Sequence, residues 1–216
     1  MTRHDLVHTL GNTGAVAIIR MADAQKLMRV IDAIRAGGIP AIEITMTTPN
    51  ALRVIEEAAS AYAADEDVLI GVGSVLDGPT ARRAISAGAQ YVVSPVLKAE
   101  MIETCHRYDV PAIPGAFTPT EVQRAHELGA DVVKVFPASS VGPGFISALK
   151  APMPHLTLMP TGGVGLTDVD RWLNAGALMV GIGSALLDDD AIAEGDFDQL
   201  TENARTLRRT IDEARG

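Results

Sequence analysis

Two ionisable residues stand where apolar side chains are expected. Lys134 lies in Asp131-Val132-Val133-Lys134-Val135-Phe136-Pro137, and Glu43 in Ala41-Ile42-Glu43-Ile44-Thr45. Burying a lysine while charged is costly. Desolvation favours its neutral form, and a neutral amine is a nucleophile toward carbonyl carbon. On the strand alone, a lysine that snorkels out of the core or pairs with a carboxylate fits as well. A carboxyl in a dry site is held above the usual carboxylate range, as a general acid/base requires. Glu43 can equally neutralise Lys134 as a buried ion pair, and one geometry serves both roles.

A third feature is a pair of glycine clusters, Thr161-Gly162-Gly163-Val164-Gly165 and Gly181-Ile182-Gly183-Ser184-Ala185. Glycine lets backbone N–H groups approach an anion closely, as at phosphate sites. Tight turns alone would also use glycine, but two clusters after successive strands favour phosphate. Arg20 closes an apolar run and can hold a carboxylate or phosphate, or make a surface ion pair. Thr45, Thr47, Ser74 and Thr161 can donate hydrogen bonds to a substrate. Cys105, His106 and His126 fall on helical segments and fit structural or solvent-facing positions. No His-Glu-x-x-His or Cys-x-x-Cys spacing is present, so neither a metal nor another cofactor is expected.

The elements that position these residues follow from a recurring phrase. It runs Ala36-Gly37-Gly38-Ile39-Pro40-Ala41-Ile42-Glu43-Ile44, then Ala87-Gly88-Ala89-Gln90-Tyr91-Val92-Val93. It returns as Leu128-Gly129-Ala130-Asp131-Val132-Val133-Lys134-Val135 and as Ala175-Gly176-Ala177-Leu178-Met179-Val180-Gly181-Ile182. Each copy is a helix end, a glycine suited to positive φ, and a β-branched run. Filling in the intervals gives eight strands, near 15–20, 41–45, 69–72, 91–94, 112–114, 132–136, 157–160 and 178–182. Apolar-periodic helices lie between them, at 24–36, 51–63, 80–87, 98–108 and, last, 200–214. Asp23, Thr80 after Pro79, and Thr118 of Thr118-Pro119-Thr120-Glu121 are the expected N-caps. Strict alternation means a parallel sheet, and eight units favour an α/β single-domain (β/α)₈ TIM barrel over residues 1–216. A short helix at 5–10 would close its bottom. In such a barrel the strand C-termini carry the site. No Gly-x-Gly-x-x-Gly opens the first helix, which argues against a dinucleotide.

Composition narrows the partners. The 216 residues are 47% hydrophobic but only 4% aromatic, so the core is built from Ala, Val, Ile and Leu. The formal net charge of -9 argues against nucleic acid or an anionic membrane as the main partner. The longest apolar runs are of strand length, too short to span a bilayer. Cys105 is the only cysteine, so no internal disulfide is possible, and a cytoplasmic location is the expectation.

Taken together, the motifs resemble the family of 2-keto-3-deoxy-6-phosphogluconate aldolase and 4-hydroxy-2-oxoglutarate aldolase. The landmarks are Glu43-Ile44-Thr45, Gly71-Val72-Gly73-Ser74-Val75-Leu76, Val93-Ser94-Pro95, Pro114-Gly115 with Thr118-Pro119-Thr120-Glu121, Lys134-Val135-Phe136-Pro137, Pro160-Thr161-Gly162-Gly163 and Gly181-Ile182-Gly183-Ser184. They run through nearly the whole chain. The resemblance implies a metal-free Schiff-base aldolase of small keto acids, a homotrimer of barrels, working in sugar-acid breakdown of the Entner–Doudoroff kind. By the same resemblance Lys134 is the Schiff-base lysine and Glu43 the acid/base. Pro95 and Phe136 line the pocket, and Gly162, Gly163, Gly183 and Ser184 hold a phosphate. Two departures stand out. Thr47 occupies a place where many members carry an arginine for the substrate carboxylate, and Ser74 one where Thr is commoner. Neutral donors or Arg20 must then grip that carboxylate. A 6-phosphogalactonate-type aldolase, a phosphate-binding isomerase or epimerase, and a catalytically silent barrel are the competing readings.

Overall fold

The computed structural model describes residues 1–21 and 23–216. The chain begins α1 (Arg3–Thr13), β1 (Ala15–Ile19), α2 (Ala24–Ala36), β2 (Ala41–Thr45), α3 (Ala51–Ala61), β3 (Leu69–Gly73) and α4 (Gly78–Ser86). It continues β4 (Val92–Val93), α5 (Ala99–Arg107), β5 (Ala112–Ile113), β6 (Gly115–Ala116), α6 (Pro119–Glu127) and β7 (Val133–Val135). After a 3₁₀ turn at Ala138–Ser140 come α7 (Pro143–Lys150), β8 (Leu158–Pro160), α8 (Val169–Asn174), β9 (Val180–Ile182), α9 (Asp189–Glu194) and α10 (Phe197–Arg215).

The expected helix–turn–strand phrase is the repeating joint of this fold. Gly38, Gly88, Gly129 and Gly176 all take φ between 91° and 103°, a region closed to most side chains by Cβ sterics. In the first copy it is the second glycine, Gly38, that bends; Gly37 stays helical at φ -83°. Helix starts follow side-chain chemistry. Asp23 accepts from the Gln25 and Lys26 N–H groups, and Thr118 and Glu121 form a reciprocal capping box. The expected cap at Thr80 is corrected. Asp77 caps α4 by accepting from Thr80 N at 2.6 Å. Pro79 therefore sits inside the first turn, where a missing N–H costs no hydrogen bond.

All strand pairs are parallel, in a six-stranded sheet ordered β5-β4-β3-β2-β1-β9 and a three-stranded sheet ordered β6-β7-β8. The fifth expected strand appears as two because Pro114 interrupts it, lacking a ladder N–H. A parallel bridge between Thr161 and Gly181 links the other end of the three-stranded sheet to β9.

Two apolar clusters flank the strands. The larger lies between the sheets and the helices, with Ile42, Ile44, Val72, Val133 and Val135 facing Leu27, Ile31, Ile55 and Leu207. The smaller joins Val16, Ala41, Leu69, Tyr91, Val93, Ile113, Val132, Met159 and Met179 with Leu6 and Leu10 of α1. Alternation along each strand sends neighbours to opposite sides, so the second cluster marks the inward face. The helix expected at 5–10 is thus longer than its apolar core, and seats Leu6 and Leu10 against one end of that cluster.

Candidate active site

The site is built by moving two residues along each strand from the inner cluster. Val16 leads to Ile18 and Arg20, Ala41 to Glu43 and Thr45, Val93 to Pro95, Val132 to Lys134 and Phe136, Met159 to Thr161, and Met179 to Gly181 and Gly183. All of these line one cavity of about 440 Å³, together with Thr47, Ser74, Leu76, Gly162, Gly163, Val164 and Ser184. Every residue singled out from the sequence is in it: Arg20, Glu43, Thr45, Thr47, Ser74, Pro95, Lys134, Phe136, Thr161, Gly162, Gly163, Gly183 and Ser184. Sequence reasoning missed Ile18 and Leu76 as lining residues, while Val164 and Gly181 lay within the two glycine clusters it named. Counting in twos from the β1 run would have found Ile18.

Lys134 is only 5% exposed and Glu43 1%. Glu43 is not neutralised by a direct ion pair: among the described residues no salt bridge within 4.0 Å includes it or Lys134. The Lys134 Nζ instead sits 5.3 Å from the centre of the Phe136 ring, within cation–π reach. Glu43 Oε2 is buried without a hydrogen-bond partner. Burial pushes the Glu43 carboxyl above its ordinary range, and the charges of Lys134 and Arg20 offset this in part. The two groups therefore face the same cavity with their reactive atoms uncommitted, an arrangement typical of chemistry rather than of packing.

The walls are set by local geometry. Thr45 Oγ1 and Thr47 Oγ1 are 2.8 Å apart, one donating to the other. Ser74, at the top of β3, takes φ 59°, which costs energy for a residue with a Cβ. Gly162 and Gly163 take φ 89° and 78°, and a Cβ on Gly163 would lie 2.5 Å from the Ser139 Cβ. The loop after β8 is tied to the 3₁₀ turn by Ala138 N donating to Thr161 O and Ser139 N to Gly162 O, both at 2.8 Å. The N–H groups of Gly162, Gly163 and Ser184 have no acceptor among the described residues. All three residues line the cavity, and uncommitted backbone donors of this kind suit an anion.

The residues set aside lie elsewhere. His106 Nε2 is 3.1 Å from Asp131 Oδ2, Cys105 is fully buried, and His126 is exposed against the His155 ring. Burial pushes the Cys105 thiol up to about 12, far from nucleophilic use. Among the described residues no group of three or more His, Cys, Asp or Glu side chains is placed to hold a metal ion. None of the described helices is long and apolar enough to cross a membrane.

Comparison with known proteins places the geometry in context. Residues 7–203 match the family described as KDPG and KHG aldolase. The 2-dehydro-3-deoxy-phosphogluconate aldolase of Treponema pallidum (strain Nichols) is 37% identical over 86% of both chains. The 2-dehydro-3-deoxy-6-phosphogalactonate aldolase of Escherichia coli (strain K12) is 33% identical over 91% of this chain and 95% of that one. Among solved structures, KDPG aldolase from Legionella pneumophila, with pyruvate captured as a covalent carbinolamine, superposes with a TM-score of 0.85. It is 25% identical over 93% of this chain and 97% of that one.

Proposed function

The chain belongs to the KDPG and KHG aldolase family and is an aldolase, a carbon–carbon lyase; on that premise we propose that it cleaves 2-dehydro-3-deoxy-6-phosphogluconate to pyruvate and glyceraldehyde 3-phosphate through a Schiff base at Lys134. The observation that carries this is a buried lysine and a buried glutamate, neither in a salt bridge, on one cavity that Gly162, Gly163 and Ser184 also line.

The neutral Lys134 amine adds to the C2 ketone, and loss of water gives a protonated imine. That cation accepts the electron pair released when the C3–C4 bond breaks. Glu43, directly or through a water, takes the proton of the C4 hydroxyl as the aldehyde leaves. It then returns a proton to C3 of the enamine, and hydrolysis frees pyruvate. A carboxyl held above its ordinary range by burial is suited to both steps. Gly162, Gly163, Gly183 and Ser184 bind the phosphate, while Thr45, Thr47, Ser74, Thr161 and Arg20 grip the carboxylate and hydroxyls. Pro95 and Phe136 form the apolar side of the pocket. The same two residues serve 4-hydroxy-2-oxoglutarate, which yields pyruvate and glyoxylate and has no phosphate.

We further infer one domain over residues 1–216, with the two sheets closed as a (β/α)₈ barrel capped by α1. The Thr161–Gly181 bridge at one seam, the continuity of β5 and β6 across Pro114 at the other, and an inner cluster drawing on strands of both sheets support closure. Assembly as a homotrimer and a place in the Entner–Doudoroff route rest on the family resemblance. A cytoplasmic location rests on that resemblance and on the single cysteine.

A relative named 2-dehydro-3-deoxy-6-phosphogalactonate aldolase is 33% identical over 91% of this chain, which keeps the C4 epimer as the second reading. Pyruvate release measured over the gluconate and galactonate phosphates, their unphosphorylated acids and hydroxy-oxoglutarate separates them. The expected order puts phosphorylated gluconate first. A higher kcat/KM for the galactonate epimer would reverse the assignment, and no cleavage of any of them would remove it.

A further inference from the structure

β3 carries two glycines on its inward face, and each makes room for a side chain from a neighbouring segment, Glu43 of β2 or Tyr91 just before β4. A Cβ on Gly73 would lie 1.8 Å from Glu43 Oε1. A Cβ on Gly71 would lie 2.3 Å from both Cε2 and Cζ of Tyr91. Gly71 is also the register partner of Glu43. The Glu43 carboxylate and the hydroxyl-bearing end of the Tyr91 ring thus occupy adjacent spaces over one strand. Tyr91 is fully buried, and its hydroxyl has no hydrogen-bond partner. Glu43 Oε2 has none either. Buried polar atoms are almost always paired, and leaving one unmade costs stability. Here a donor and an acceptor are both orphaned on side chains packed over neighbouring inward glycines of β3, and the Glu43 charge acts on the phenol. Two partners meet the lower limit for holding an internal water.

We propose that Tyr91 is a positioning residue for Glu43: its hydroxyl donates through one buried water to the Glu43 carboxylate and holds it facing Lys134. The charged and titratable groups acting on Glu43 are then Lys134 from β7, Arg20 after β1 and Tyr91 before β4. Burial first, and the Glu43 carboxylate second, push the Tyr91 phenol well above its ordinary value, so it remains a donor wherever the protein is folded. Donation to the ionised form of Glu43 opposes the effect of burial on that carboxyl. Only the consequence for catalysis rests on the aldolase reading; the contact itself does not.

The test is Tyr91→Phe, which removes the hydroxyl and keeps the ring over Gly71. The Glu43 carboxyl is followed by carbon NMR in protein labelled at glutamate side chains, with Glu43→Gln to assign its signal. In Tyr91→Phe it is expected to titrate about one pH unit higher, the loss of one charge-assisted contact. Hydrogen exchange at C3 of pyruvate should fall about tenfold on its acidic limb, with KM for pyruvate unchanged. An unmoved Glu43 titration overturns the proposal, whatever the variant does to stability. A moved titration with unchanged exchange upholds the Tyr91 contact and removes Glu43 from the proposed mechanism instead.

Discussion

Val16, Ala41, Leu69, Val132, Met159 and Met179 point the same way as Ile18, Glu43, Gly71, Lys134, Thr161 and Gly181, two residues further along each strand. The first set is sealed by Leu6 and Leu10 of α1 into an apolar cluster. In the second set apolar Ile18 and Gly181 stand beside Lys134, Glu43 and Thr161 around an open cavity. Backbone and alternation are shared, so neither explains the difference. Side-chain chemistry at successive inward positions does: these six lower positions offer only uncharged apolar side chains, while the next level leaves a carboxylate and an amine without a direct partner. The lower level contributes stability, and the upper level holds reactive groups at a cost in stability.

Substitutions at the two levels should therefore have opposite signatures. Lys134→Met is expected to lower kcat at least about 10⁴-fold, because the covalent route is lost outright. Its melting temperature should not fall, since a buried polar amine without a salt-bridge partner is replaced by an apolar side chain. A destabilised Lys134→Met would mean that the lysine is structural. Glu43→Gln should lower kcat by about 10²–10⁴-fold, the usual worth of a general acid/base, while leaving imine formation with pyruvate intact.

Glu43→Gln also tests the cost of the upper level through pH. The folded protein binds a proton at Glu43 more tightly than the unfolded chain does. Wild-type stability is therefore lost as pH rises from the unfolded carboxyl value of about 4.3 through the raised folded value, and is level above it. The variant lacks this loss, so its melting temperature relative to wild type should climb across that window. A difference that does not change with pH would show that burial leaves Glu43 unperturbed. At the lower level, Leu10→Ala should cost about 2–5 kcal/mol of stability in denaturant unfolding, since Leu10 is fully buried. Its kcat should stay near that of wild type, and a large drop there would couple the two levels.

Sequence periodicity disclosed most of this arrangement, because alternation and the glycine-ended helices are local signals. Lys134 and Glu43 stood out as charges in apolar runs, and the glycines of the recurring phrase marked where β2, β4, β7 and β9 begin. Other features depend on contacts between distant segments. Pro114 splits a strand only because its neighbours pair on both sides. Gly73 is a shelf for Glu43, and a glycine inside a strand was the available signal for such a close approach. Tyr91 reads as one more aromatic in a core strand, and its relation to Glu43 emerges only once β2, β3 and β4 are set side by side. Asp77 displaced Thr80 as the cap of α4 because a proline tolerated in the first turn moves the helix start back.

The central claim is that Lys134 is an accessible nucleophile and not a structural charge. Incubating the folded protein with pyruvate and sodium borohydride, then mapping peptides by mass, addresses it directly. A pyruvate-sized mass on Lys134, absent without pyruvate, is the predicted result. An unmodified Lys134 in folded protein would contradict the account.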